Sequence, residues 1–211
     1  MWVFYQMIAR QLSGLQIVVL GAGFSSRLGW PKALTRIHGV SLLRRTVSVL
    51  ARVTRQAVVV VTPPRATHMR LELRGHRVSL LANPRRFEGL STSVALGLRK
   101  CRYSSATLFL PVDLAELSAK DIKRLISRWR GSKRRVVARS MAGRASIPAI
   151  LPKFLYPQAG LLAGDIGLRN LLSELRMEQR ALLELPSAVR DLDTPQDLAD
   201  ARRRALRHGG C

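Results

Sequence analysis

Short apolar runs alternate with stretches of helical periodicity along this chain. Ile17-Val18-Val19-Leu20, Ala57-Val58-Val59-Val60-Val61, Val78-Ser79-Leu80-Leu81-Ala82 and Thr107-Leu108-Phe109-Leu110 are uncharged and mostly β-branched or aliphatic, the pattern of strands covered on both faces of a parallel sheet. Between them, apolar positions recur every three or four residues. Leu42, Leu43, Val47, Leu50 and Val53 follow a capping Ser41; Phe87, Leu90, Val94 and Leu98 share one face of a helix from about residue 87 to 100; and Ile122, Leu125, Ile126 and Trp129 follow a Ser118/Asp121 capping box. Further on, residues 133–139 and 146–151 read as short strands and Leu168, Leu171, Leu172 and Leu175 as a helical stripe. Thr194, Pro195 and Asp197 read as N-cap, first and third residues of a terminal helix. The alternation predicts one α/β domain over residues 15–208, a mostly parallel twisted sheet with helices on both faces. Residues 1–14 show no clear period and read as an extension.

The first strand runs into Gly21-Ala22-Gly23-Phe24-Ser25-Ser26-Arg27-Leu28-Gly29-Trp30-Pro31-Lys32. Glycines let backbone approach a ligand, serines add donors, and Arg27 and Lys32 add two cations, which together suit a polyphosphate. A dinucleotide fingerprint would need glycine in place of Ser26, and a P-loop would need Ser or Thr after its Gly-Lys, so neither motif fits. A second polar turn, Gly89-Leu90-Ser91-Thr92-Ser93, opens the helix that ends near residue 100, where free amides and the helix dipole point outward. Ligand contact and simple N-capping explain its hydroxyls equally well. Asp113 follows the fourth apolar strand, at the sheet edge where ligands of doubly wound folds collect, and a carboxylate there suits Mg²⁺. A cap for the next helix is the other use for such a residue, but Ser118 already supplies one.

Composition changes the picture through charge. The 211 residues carry 36 Lys plus Arg against 13 Asp plus Glu, a formal net charge of +23, which favours anionic partners in general. An arginine-rich coding bias explains the excess as well as a partner does. No aromatic platform accompanies the charge, so nucleic acid is not expected. The two cysteines, Cys101 and Cys211, are far apart and suggest neither a disulfide framework nor zinc. No run of 18 apolar residues or signal-peptide pattern is present, so a soluble cytoplasmic protein is expected, without a membrane association.

The glycine loop resembles the opening signature of the nucleotidyltransferases that mature molybdenum cofactors, Leu-Ala-Ala-Gly-x-Ser-x-Arg-Met-Gly-x-x-Lys. Leu20, Ala22, Gly23, Ser25, Arg27, Gly29 and Lys32 match it, and Gly21 and Leu28 depart. The resemblance extends to Gly89 and Ser93, to Asp113 (with Ala115 where proline is usual), and to Pro148 (with Ser146 for glycine). It includes Gly164-Asp165-Ile166-Gly167-Leu168-Arg169 and Asp191-Leu192-Asp193-Thr194-Pro195.

It implies nucleotide contacts from Leu20, Gly21, Ala22, Gly23, Ser25, Arg27, Lys32, Gly89 and Ser93, with Arg27, Lys32 and Asp113 as the catalytic set. Acceptor contacts are implied from Asp165 and Arg169, and a Mg²⁺ site at Asp113, with Asp193 as a second ligand or a helix-dipole acid. The implied reaction joins the phosphate of molybdopterin to the α-phosphorus of CTP and releases pyrophosphate. In the family Ala-Ala in the loop goes with CTP and Gly-Gly with GTP. Gly21-Ala22 is half of each, and an Ala22 methyl crowding a purine would favour CTP. A non-catalytic relative that binds the cofactor or an acidic molybdenum hydroxylase is the second reading, motivated by the departures and the charge.

Overall fold

The computed structural model describes residues 14–23, 30–164, 168–188 and 190–208. In chain order, β1 (Leu15–Leu20), a hairpin of β2 (Arg36–Ile37) and β3 (Val40–Ser41), α1 (Leu42–Ala51), β4 (Val58–Thr62), α2 (Thr67–Glu72), β5 (Val78–Ala82) and α3 (Leu90–Lys100) form the first half. The second half comprises β6 (Ala106–Pro111), α4 (Ala119–Arg130), β7 (Val136–Met141), β8 (Arg144–Pro152), α5 (Tyr156–Gly160), α6 (Leu168–Glu174), β9 (Arg180–Leu183) and α7 (Pro195–His208). Seven strands make one sheet in the order β5-β4-β1-β6-β8-β7-β9. Every pairing in it is parallel except those of β8, which runs antiparallel to both β6 and β7.

The continuous apolar runs have a simple cause in this layering. On β1, Ile17 and Val19 point to one side, with Leu43, Leu50, Ile122 and Leu125, while Val18 and Leu20 point to the other, with Val94, Leu98, Leu168 and Leu172. Both faces are covered, so both parities of each central strand must be apolar. Val18, Val60, Leu108 and Phe109 are fully buried. The helix starts also form as their sequences dictate. Ser41 Oγ accepts the Arg44 amide at 3.2 Å and Ser118 Oγ accepts the Asp121 amide at 3.2 Å. Thr194 and Asp197 bond reciprocally, at 2.7 Å from the Thr194 amide and 3.1 Å from the Asp197 amide. Asp121 adds a tertiary link, its Oδ2 accepting the amide and hydroxyl of Ser187 at 2.9 and 2.7 Å.

Three expectations need correction. Phe87 lies outside its helix, in a 3-10 turn and 77% exposed, because Gly89 takes φ 107° and interrupts the helical path before Leu90. The basic stretch 133–139 becomes strand only from Val136, and the strand it enters is internal, between β8 and β9. α2 and β9 are too short to carry a clear period and go unpredicted. The expected extension, residues 1–14, lies outside the described residues apart from Gly14. No described helix is long and apolar enough to cross a membrane.

α3 crosses the sheet at Gly97, where an added Cβ would sit 3.0 Å from Val18 Cγ1 and 3.2 Å from Phe109 Cε1. Gly-to-Ala changes inside helices ordinarily stabilise by about 0.5–1 kcal/mol. Both neighbours here are buried side chains of central strands, so Gly97→Ala is expected to destabilise by about 1–3 kcal/mol. The midpoint of urea unfolding should fall; a raised midpoint would contradict this packing.

Candidate functional site

β1 lies between β4 and β6, where the chain's connections change side, and the carboxyl ends of these three strands surround a large concavity. Its volume is about 670 Å³, and its wall includes Leu20, Gly21, Gly23, Lys32, Asp113 and Arg169. At the end of β1 the Gly21 amide donates to the Val61 carbonyl at 2.9 Å. A Cβ at Gly21 would stand 3.1 Å from that oxygen, so close passage along β4 accounts for glycine here. The strand's alternation continues through this bond, and Ala22, two residues after Leu20, shares its side of the sheet and is 2% exposed in the core. Gly21 and Gly23 line the cavity and Ala22 between them does not, which removes the expected steric ground for preferring CTP. Among the described residues, apart from its chain neighbours, none has an atom within 4 Å of where a Cβ on Gly23 would be. Ser25, Arg27 and Asp165 lie outside the described residues.

Lys32 begins the short 3-10 turn Lys32–Leu34. Its Nζ donates to Asp113 Oδ2 at 2.9 Å and to Asp193 Oδ1 at 2.7 Å. Asp113 arrives from β6 and Asp193 from the approach to α7, and the two loops are stitched together by the Leu192 amide donating to the Asp113 carbonyl at 3.1 Å. The other Asp113 oxygen, Oδ1, is buried without a hydrogen-bond partner. Burial pushes the Asp113 carboxyl above the usual carboxylate range despite the Lys32 ammonium beside it. Burial pulls Lys32 down, but Asp113 and Asp193 outweigh it and hold the ammonium above its ordinary value. Lys32 and both acids thus form a charge-assisted bridge, with one carboxylate oxygen left over.

Gly89 and Ser93 lie at the start of α3. Gly89 is the N-cap of α3, while Ser93 is 4% exposed and its hydroxyl accepts Asn83 Nδ2 at 2.9 Å. That hydroxyl braces the β5–α3 connection. Arg169, at the start of α6, instead joins the main cavity to a smaller one of about 300 Å³ that also touches Ser146, Ile147 and Leu172. Cys101 is buried and its thiol is pushed up to about 11 by that burial, so it is no nucleophile at neutral pH.

Several wall residues escaped the sequence reading. Pro63, Pro64, Arg65 and His68 line the cavity, and Asp191 does as well. Arg86 also lines it and donates from Nη1 to the Ala22 carbonyl at 3.2 Å. Of these only Asp191 sits in a recognisable motif, and their convergence depends on the sheet order. Among the described residues no group of three His, Cys, Asp or Glu side chains is close enough to hold a metal alone. Asp113 and Asp193, with the orphaned Oδ1, supply the oxygen donors a hard cation takes, provided a ligand supplies the rest.

A family model described as the MobA-like NTP transferase domain matches residues 17–181. A probable molybdenum cofactor guanylyltransferase of Rhodopirellula baltica is 28% identical over 188 residues, 86% of this chain and 88% of the relative. Among solved structures, a nucleotidyl transferase from Methanothermobacter thermautotrophicus superposes with a TM-score of 0.76 at 20% identity, covering 92% of this chain and 99% of that one. A Mycobacterium tuberculosis H37Rv protein in complex with manganese gives 0.70 at 18% identity, covering 90% and 98%. The structural likenesses show a shared fold.

The bridge makes a stability prediction. Lys32→Met leaves two carboxylates that shared one cation, and should lower the free energy of unfolding by about 1–3 kcal/mol. Lys32→Met combined with Asp193→Asn should recover part of that loss, since the like charges no longer meet. Equal or greater loss in the double variant, measured by urea titration, would remove the repulsion from this picture.

Proposed function

The chain belongs to the MobA-like NTP transferase domain family and is a nucleotidyltransferase, and from that premise we propose that it transfers a nucleoside monophosphate from its triphosphate to the phosphate of molybdopterin, releasing pyrophosphate. The observation that carries this reading is the bridge of Lys32 between Asp113 and Asp193, at the mouth of a cavity of the size small-molecule sites have.

Phosphate oxygens arriving in the cavity compete with the two carboxylates for the Lys32 ammonium. As Lys32 turns to the triphosphate, the Asp113 and Asp193 carboxylates give up the cation they share, and their oxygens, Asp113 Oδ1 among them, would hold Mg²⁺. When bound, the ion would offset charge on the phosphates. Lys32 and Arg27 hold the leaving pyrophosphate, while Gly23 lets backbone approach it, and Arg169 with Asp165 orients the acceptor. The acceptor is already an anion, so no side chain has to remove a proton. The M. tuberculosis protein, with its manganese, supports a divalent ion on this fold.

The departures from the family pattern leave the bridge intact. Gly21 follows from the Val61 carbonyl, Ala115 packs against the cluster of Leu192 and Leu198, and Leu168 is a core residue, which favours an enzyme over a non-catalytic relative. For the base, the expectation of CTP rested on an Ala22 methyl that faces the core, while the R. baltica relative is named for guanylyl transfer. We therefore assign GTP as the donor.

The reading is tested by pyrophosphate release with Mg²⁺, molybdopterin and each triphosphate in turn. GTP should be the best donor, and Asp113→Asn should fold normally yet lose metal-dependent turnover by about 100-fold or more. Turnover preferring CTP would reverse the assignment of base. Full activity in Asp113→Asn would make that residue structural.

A further inference from the structure

We propose that Arg139, which touches neither the cavity nor the Lys32 bridge, is a positioning residue for the carboxylate pair, locking from behind the segment that carries Asp191 and Asp193. The inference rests on the transfer reaction proposed above. Arg139 lies in β7 and is 2% exposed. Its strand neighbours Val136, Val137 and Ala138 are fully buried and apolar, so packing alone asks for another aliphatic residue there. Burying a guanidinium costs several kcal/mol unless it is paired, and Arg139 Nε remains without a partner even so.

The geometry shows what the charge holds. The β7–β8 register shifts between Ala138 and Arg139, an irregularity of the kind that re-aims a side chain. From there Nη1 donates to the Ala188 carbonyl and to Asp191 Oδ1, the latter at 3.1 Å, while Nη2 lies 2.9 Å from Met141 Sδ. Asp191 lines the cavity, the Leu192 amide bonds the Asp113 carbonyl, and the Asp193 side chain reaches Lys32. One buried cation thus fixes the start of the three-residue path Asp191–Asp193 that ends on the bridge. It also balances Asp191, which, after burial, is among the influences that push the Asp113 carboxyl up. Metal-site partners beyond the ligands themselves typically set affinity or activity by about 10–100-fold.

The test uses the full chain with Arg139→Met and Arg139→Lys, reading three quantities: Mn²⁺ affinity in the presence of the triphosphate by electron paramagnetic resonance, kcat and KM for the triphosphate, and the melting temperature. In Arg139→Met, kcat and Mn²⁺ affinity should each fall by about 10–100-fold while KM for the triphosphate stays within about twofold, and Arg139→Lys should restore part of both. A folded Arg139→Met with wild-type kcat and Mn²⁺ affinity overturns the positioning role. Should Arg139→Met fail to fold, Arg139→Lys decides: lowered melting temperature with unchanged kcat and Mn²⁺ affinity makes the residue structural only. A wild type without metal-dependent turnover overturns the proposed reaction and this role with it; an active wild type matched by its variants overturns the role alone.

Discussion

One ammonium group joins three remote parts of the chain. Lys32 Nζ bonds Asp113 across 81 positions and Asp193 across 161, and both contacts exist only because the sheet puts β1 beside β6 and the approach to α7 against the Asp113 loop. The bridge costs the fold something, since Asp113 is driven towards protonation by burial and keeps a sealed oxygen without a partner. Proteins retain such unsatisfied groups where ligands complete them. A lysine resting between two acids keeps the site folded when empty and becomes available when a stronger anion arrives.

The surroundings of the bridge follow from the same constraint. Gly21 stays on β4 through the Val61 carbonyl, and Gly21 and Gly23 line the cavity. On the opposite side Arg139 is buried in β7, where its register with β8 shifts, and meets Asp191. The cavity wall is therefore held by strand pairing on one side and by the ion pair of a buried arginine on the other. With Arg65, Arg86 and Arg169 also on the wall, the site presents cations to its substrate and reserves its acids for the point where Lys32 sits.

Much of this is legible in the sequence, and what is hidden has identifiable causes. The apolar runs of β1, β4 and β6 announce buried strands because both their faces are covered, and Ser41, Ser118 and Thr194 announce helix starts because capping is local chemistry. Lys32 and Asp113 stand out through motif and strand end. Their contact does not, because strand order is a long-range property. Ala22 misleads since one further hydrogen bond along β4 continues the alternation and turns its methyl to the core. Phe87 keeps helical spacing across a glycine that is not helical. Arg139 sits in a basic stretch that looks solvent-facing, and its burial depends on Asp191, 52 positions away.

The central claim is that Lys32 and a divalent ion compete for the same two carboxylates, with the triphosphate deciding between them. The most direct measurement is the Mn²⁺ affinity of the wild-type protein, titrated by electron paramagnetic resonance with and without GTP. Affinity should be weak for the protein alone and rise by about tenfold or more when GTP is bound, the scale of a coupling between two sites. Equal affinity in both titrations would contradict the account.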